Sequence, residues 1–561
     1  MANKLVTSLA GGINVKAAPL IIKDSEAELV LNYNLDTVGA LTKRYGYTTH
    51  ANAPAAVNIN GLYQFVKIGA GTPNIQLMVQ NNTGGTQGVV YWRSSVSGNW
   101  AAALSTDTAS RKTRFTTLAG YVIRVNGADA PSSSTNVSTW GTTNLGDRLT
   151  GTVLTITPRY ASTFQDRAYL ANGNTAITSS RLWFSSLPST IDALNGNVAA
   201  GATTITVDST TGFVNPGGNG TATIVIEGDV INYTGTTATT FTGCTGVDSA
   251  HPDNAFVYQY VGGTAQELSW DTSRDYVDIN PDDGDEITGL ENNGNRLLIF
   301  KNNATYRWTF GQVEADRLIG VGTSSQESVK TNFDKGITFF AGIKGVYAYT
   351  GGRPKNISRK IQRYIDAVSD WTEVYGAVDE DHYYLSVGNL TVTVAGVSRT
   401  ISNAVLVYHI SLDAWTIYSL ANAARFFALL RDSTDGIDED LYFGSTNGQV
   451  YQFLDSTATG DNATAIPGEF LGKEHMLSFP GFSQVSYVDV IASQHTNSSV
   501  FYRADKKVDP KSIGNLTGRV TNLKVGGDDV RTIQLRIVDN STTRSIIEGY
   551  NIEYDSTPRR T

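Results

Sequence analysis

The chain has 561 residues, which at about 150 residues per domain points to three or four domains, or to one large repeat fold with additions. Lys and Arg number 43 against 52 Asp and Glu, and the resulting formal charge of −9 argues against a generally basic nucleic-acid binder. Charged residues make up only 17% while hydrophobics reach 40% and aromatics 10%, which excludes a disordered chain and supplies a large core.

Met1 to Pro19 lacks the long apolar run of a secretion signal, and nowhere does the chain approach about 18 consecutive apolar residues, so no transmembrane helix is expected. Asp24 to Asn32 (D-S-E-A-E-L-V-L-N) reads as a short helix, with Asp24 or Ser25 as its cap and Glu26 and Glu28 at its positive start. Residues 1–50 are expected to form an extended arm with this short helix, with Gly39 and Gly46 permitting turns that other residues resist.

From Val57 to Asp455, period-two runs of β-branched and aromatic residues recur between Asn-Gly, Asp-Gly and Gly-Gly turns. Residues 296–310 and 335–351 both read as strand, tight turn, strand, and residues 440–453 repeat that pattern. Sheets repeating along a chain bury their faces by radial stacking, so the expectation is an all-β fold built on a β-propeller. Residues 51–195 and 263–455 leave room for about seven or eight blades at roughly 40–50 residues each, and seven is the expectation. Between them, residues 196–262 are Thr- and Gly-rich with few charges and read as a small inserted β-domain. After a polar linker at 456–467, the alternation in 485–491, 532–538 and 546–554 predicts an antiparallel β-sandwich within residues 456–561.

Sequence signals for chemistry are sparse. The six histidines, His50, His251, His382, His409, His475 and His495, form no metal-ligand pair at close spacing. The single Cys244 lies in an apolar strand end without a basic neighbour, so a structural role is expected for it, and a disulfide framework is excluded. No Gly-x-Ser-x-Gly elbow or phosphate loop occurs. Ser411 to Thr416 faintly echoes an Asp-box but lacks its Gly and is expected to be a hairpin turn with Trp415 in a blade core. The reading is therefore of a protein without catalysis or cofactor.

Two charged runs stand out. Asp271, Asp275, Asp278, Asp282, Asp283, Asp285, Glu286 and Glu291 face Arg274 alone. Asp278, Asn280 and Asp282 mimic the opening of a calcium loop, but Pro281 intervenes, the glycine comes late at Gly284, and Gly289 stands where the bidentate Glu belongs. A solvated acidic loop is the expectation. The basic run Arg353 to Arg363 predicts a helix over Ser358–Val368, with Arg359 and Arg363 on one face and Lys360 adjacent, suited either to phosphate or to an acidic neighbour.

Gly11-Gly12-Ile13-Asn14, then Pro19, Asp24-Ser25-Glu26, Leu29 and Asn32, then Gly39-Ala-Leu-Thr-Lys-Arg-Tyr-Gly-Tyr47 resemble the opening of bacteriophage tail nozzle proteins, also called tail tubular protein B or packaged-DNA stabilisation proteins. Residues 536–543 and 547–554 are similar to endings common in phage tail proteins, and 207–213 with 228–235 to modules found in them. The resemblance implies a virion protein of a short tail, assembled in a bacterial cytoplasm. It implies a hexameric ring built around a propeller and seated below the tail adaptor. That ring would carry double-stranded DNA transiently, retain it, release it at ejection, and bear fibres or tailspikes and a tip needle. On this reading Asp278, Asp282, Asp283, Asp285 and Glu286, together with Arg359, Lys360 and Arg363, are expected at the channel or a subunit interface. An acidic lumen suits a conduit, because each phosphate neutralised by a basic wall would add affinity and slow passage. The alternative is a receptor-binding or lectin-like propeller at the tail periphery.

Overall fold

The computed structural model describes residues 2–35, 39–51, 54–65, 75–94, 99–118, 120–134, 140, 145–147, 152–185, 191–217, 220–227, 229–260, 269–270, 275–431, 439–507, 509–526 and 529–557. Seven antiparallel sheets follow one another along the chain. Their first strands are Ile59–Phe65, Arg114–Leu118, Tyr160–Phe164, Ile287–Asn293, Lys330–Asn332, Tyr375–Val378 and Ala424–Arg431. Each first strand packs beside the next, and the seventh returns to the first. The sheets are therefore the blades of a closed seven-bladed β-propeller.

Alternation along single strands explains the stacking. On Arg296–Lys301 of blade 4, Leu297 and Ile299 enter the core shared with blade 3, whereas Leu298 and Phe300 enter the core shared with blade 5. The ring is closed by a strand from the other end of the chain. Gly46–Ala51 pairs antiparallel with Val450–Asp455 and becomes the fourth strand of blade 7, with Tyr47 buried against Phe443 and Tyr451.

The helix expected over Asp24–Asn32 is instead the β-strand Glu26–Leu31. Tertiary pairing overrides the local preference. The strand lies antiparallel to Gly468–Met476 and bridges to blade 6 at Leu31 and Ile417. Its glutamates are buried as partners rather than displayed as caps. Glu26 accepts from Asn14 at 2.9 Å, and Glu28 accepts from Gln534 at 2.7 Å. The second expected helix is shorter than Ser358–Val368: a 3₁₀ turn, Arg359–Ile361, leads into one α-helical turn, Gln362–Ile365. Ile361, Tyr364 and Ile365 are its buried side, and the Tyr364 hydroxyl donates to the Glu28 carbonyl at 3.0 Å.

Through Glu26–Leu31 the sheet of blade 6 runs on into a C-terminal layer made of Gly468–Met476, Thr532–Asp539, Ser498–Ala504 and Lys511–Asn515. A second sheet packs against that layer. It contains Phe482–Ser493 and Ile546–Thr557 together with the arm strands Ala2–Val6, Tyr33–Leu35 and Leu41–Lys43. The sandwich core, including Tyr33, Val488, Leu535, Ile537, Tyr550 and Ile552, is continuous with Phe339 and Ile361 beneath the propeller. The insertion lies between the third and fourth strands of blade 3 and has its own core around Ile205, Ile224, Ile231, Tyr233 and Phe241. Val225 docks it on the core of blades 2 and 3.

Candidate functional site

The acidic run occupies the connection from the last strand of blade 3, Tyr276–Asp278, to the first strand of blade 4. Asp271 and Arg274 lie outside the described residues. The basic partners of this run come from elsewhere in the chain. Both oxygens of Asp278 accept from Arg181, at 2.7 and 2.9 Å. Asp283 pairs with the buried ammonium of Lys301 at 2.7 Å, and Glu286 pairs with Arg159 at 3.1 Å. Burial alone would raise the Asp283 carboxyl, but Lys301, the Asp285 amide and Asn280 hold it below its usual range. Asp285 accepts from the amides of Asn302 and Asn303 in the facing turn, while Asp282 stays exposed. Of the calcium-like positions, Asp278 has both oxygens taken by Arg181, while Asp282 stays exposed and unpaired with it. Among the described residues no group of three or more His, Cys, Asp or Glu is arranged to hold a metal.

The basic run is also partly engaged. Lys360 pairs with Glu26 at 3.4 Å, Arg363 donates to the Thr393 carbonyl at 3.0 Å, and Arg359 is exposed. These bonds fasten the short helix to the arm and to blade 6.

The propeller bore has two communicating chambers, of about 510 and 560 Å³, lined by the first strands. Where those strands begin, charges pair across blades, with Glu327 buried and Glu373 exposed. Arg114 meets Glu327 at 2.7 Å, Lys112 meets Glu373 at 3.0 Å, and Arg425 meets Glu373 at 3.1 Å. Lys112 and Arg425 also lie over the ring of Tyr375, at 4.9 and 5.2 Å. Burial would raise the Glu327 carboxyl, yet Arg114 and Lys112 outweigh it and bring it down to about 2. The opposite end of the bore carries the exposed side chains of Phe333 and Leu429 beside Glu291 and Lys330.

A further polar network lies at the joint between propeller and sandwich and centres on Arg44. Its guanidinium is fully buried and binds both oxygens of Asp461 at 2.8 Å. It also donates to Asn32 Oδ1 at 2.9 Å and to the Ser419 carbonyl at 2.8 Å. Asn32 in turn donates to the Pro467 carbonyl at 2.7 Å and accepts from the Ser419 amide. Next along the chain, Lys43 lies 3.4 Å from Asp539 and donates to the Ser541 carbonyl at 2.7 Å. Gly12 has a φ of +65° and lies against Trp415, where a Cβ would sit 2.7 Å from the backbone oxygen. Sequence reasoning placed no site residue here. The available signal was the Lys43-Arg44 pair inside a low-charge strand region bounded by glycines.

No protein-family model matches the chain, and no curated protein matches it. Among solved structures it is similar to YCF48 bound to D1 peptide, at 9% identity over 74% of this chain and 97% of that chain, with a TM-score of 0.37. It is similar too to a chain of the crystal structure of the mitotic checkpoint complex, at 10% identity, covering 75% of this chain and 98% of that one, with a TM-score of 0.35. The AfRom2 CNH domain matches at 9% identity, over 72% and 97%, with a TM-score of 0.28. Likenesses of this strength carry no argument about function. The propeller and its sandwich follow from strand pairing alone.

Proposed function

We propose that the chain is a structural subunit of the nozzle of a short phage tail. A ring of copies, six by the resemblance, continues the DNA channel below the adaptor, keeps it closed and opens it for ejection. It supports fibres or tailspikes around it and takes a tip needle below. The subunit is assembled in the host cytoplasm, resides in the virion, and works without catalysis or cofactor.

The observation that carries this reading is where the nozzle-like residues lie. Gly12, Asn14, Asp24, Asn32, Arg44 and Gly46 converge on the joint of propeller and sandwich. Asp24 pairs with both Lys4 and Lys473, at 2.7 and 2.9 Å. The motif thus marks a mechanical weld, the part that a load-carrying tail subunit needs to keep rigid. Duplex DNA passes between subunits in this proposal. The propeller bore has chambers of small-molecule size and ion pairs across one end.

Cryo-EM of virions carrying this protein tests the reading. The expected result is a ring of propellers on the tail axis that continues the channel and is closed before ejection. Density confined to peripheral appendages would overturn it in favour of the receptor-binding alternative.

A further inference from the structure

We propose that Lys43 and Asp539 condense into an intramolecular amide, a covalent cross-link between the N-terminal arm and the C-terminal sandwich. The proposal is independent of the nozzle reading. Lys43 ends the arm strand Leu41–Lys43, which pairs with Ile546–Thr557, and its backbone amide donates to the Ser545 carbonyl at 2.9 Å. Asp539 ends Thr532–Asp539 in the facing sheet. The two side chains thus meet across the sandwich from opposite ends of the chain.

Their setting is unusually dry. Nζ of Lys43 lies 3.4 Å from Oδ2 of Asp539, and the side chains are only 2% and 1% exposed. Among the described residues no other lysine–carboxylate pair has both partners so fully buried; Lys301 is as enclosed, but its partner Asp283 is 22% exposed. At this separation the lysine needs only a turn of its flexible stem to bring Nζ onto Cγ, so the reaction is already intramolecular and oriented. Burial pulls the Lys43 amine below its ordinary range although Asp539 opposes the shift, and a desolvated lysine is the activated form of that nucleophile.

The carboxyl is gripped on both oxygens. Oδ1 accepts from the Ser498 hydroxyl at 2.9 Å and from the Ser541 amide at 2.8 Å. Oδ2 accepts from the Tyr33 hydroxyl at 3.3 Å and from the Ser545 hydroxyl. Burial would raise the Asp539 carboxyl, but Ser541, Ser545 and Lys43 hold it below its ordinary range. Tyr33 stays a donor, because burial and the neighbouring carboxylate push its phenol well up.

The step balances without any outside reagent. The Lys43 ammonium passes one proton to Oδ2, which leaves a neutral amine and a neutral acid. Nζ then attacks Cγ, and the charge that develops on Oδ1 falls on the Ser498 hydroxyl and the Ser541 amide, two donors already aimed at it. A second proton moves from nitrogen to Oδ2, the Cγ–Oδ2 bond breaks, and one water leaves. The amide keeps one N–H for the Ser541 carbonyl, which Nζ already reaches at 2.7 Å, and its oxygen keeps the donors of Oδ1. Two charges stripped of water are thereby replaced by one neutral group with its hydrogen bonds made.

Intact-mass spectrometry of the denatured full-length protein, followed by tryptic mapping, tests the proposal. The expected mass is lower than that of the sequence by one water. Trypsin does not cleave at an acylated lysine, so the map should contain a branched peptide joining residues 24–44 to residues 537–544. Asp539→Ala and Lys43→Arg should both restore the full sequence mass; the arginine keeps a positive charge beside Asp539, and a thermal melt checks that this variant is folded. A wild-type mass equal to that of the sequence would overturn the proposal. So would a deficit that persists in folded Lys43→Arg protein, since the water would then have been lost elsewhere.

Discussion

Arg44 illustrates how one residue can hold two domains. It sits 12 positions from Asn32 but 375 from Ser419 and 417 from Asp461, so no local pattern could reveal its partners. A buried guanidinium tolerates removal poorly because Asp461 would keep its charge without compensation. Arg44→Ala is expected to destabilise the protein by about 3–5 kcal/mol in equilibrium denaturation. Replacing both partners, Arg44→Met with Asp461→Leu, should recover most of that loss, because no unpaired charge then remains buried. If the double variant is no more stable than the single one, the ion pair is not what makes Arg44 matter. The acidic run shows the same principle at the surface. Its excess of carboxylates was plain in the sequence, but Arg181 lies 97 positions from Asp278 and Arg159 lies 127 from Glu286. Their neutralising effect is a property of the folded blades.

Among the elements, the strand Gly46–Ala51 has the largest consequence for its length. Without it, Val450–Asp455 becomes an open edge of blade 7, and such edges pair with other chains. A variant lacking residues 1–51 is expected to elute as aggregate on size exclusion. A variant lacking only residues 1–24 keeps the closing strand and Glu26–Leu31 but uncovers the Ile546–Thr557 edge that Ala2–Val6 pairs with, so it should aggregate less than the longer deletion while blade 7 stays closed. Soluble, monodisperse protein from the longer deletion would show that blade 7 closes without its fourth strand. Strand content, repeat design and the seven blades were legible in the sequence because alternation and turn residues act locally. Asp24–Asn32 was misread as helix for the opposite reason. Its caps are local signals, whereas the pairing of Glu26–Leu31 with Gly468–Met476 and the burial of Glu28 against Gln534 are set by residues more than four hundred positions away. The bore was illegible as well, since its lining is collected from blades across the whole propeller.

At the scale of the molecule, the continuous core from Phe339 to Ile552 joins propeller and sandwich into one cooperative unit, while the insertion has a core of its own. Histidines distribute pH sensitivity between these units with opposite signs. In the insertion, His251 bridges Glu227 and Asp229 at 3.0 Å each; burial opposes its charge, but the two carboxylates prevail and raise it from 6.5 to about 9. A raised folded value stabilises fully below about pH 6.5, and that contribution fades as pH rises through about 9, with up to about 3 kcal/mol at stake. His409 in blade 6 and His475 in the sandwich are held neutral, mainly by burial, at about 3 and about 4. Their depressed values mean that the unfolded chain binds more protons below pH 6.5, so acid weakens the joint unit before the carboxylates titrate. Differential scanning calorimetry should therefore show two transitions that move apart with pH. Between about pH 6.5 and 9 the insertion's transition falls and the larger one holds, whereas between about pH 6.5 and 5 the larger one falls and the insertion's holds. His251→Gln is expected to remove the alkaline shift alone. A single transition at every pH, or an alkaline shift that persists in that variant, would refute this division of the fold.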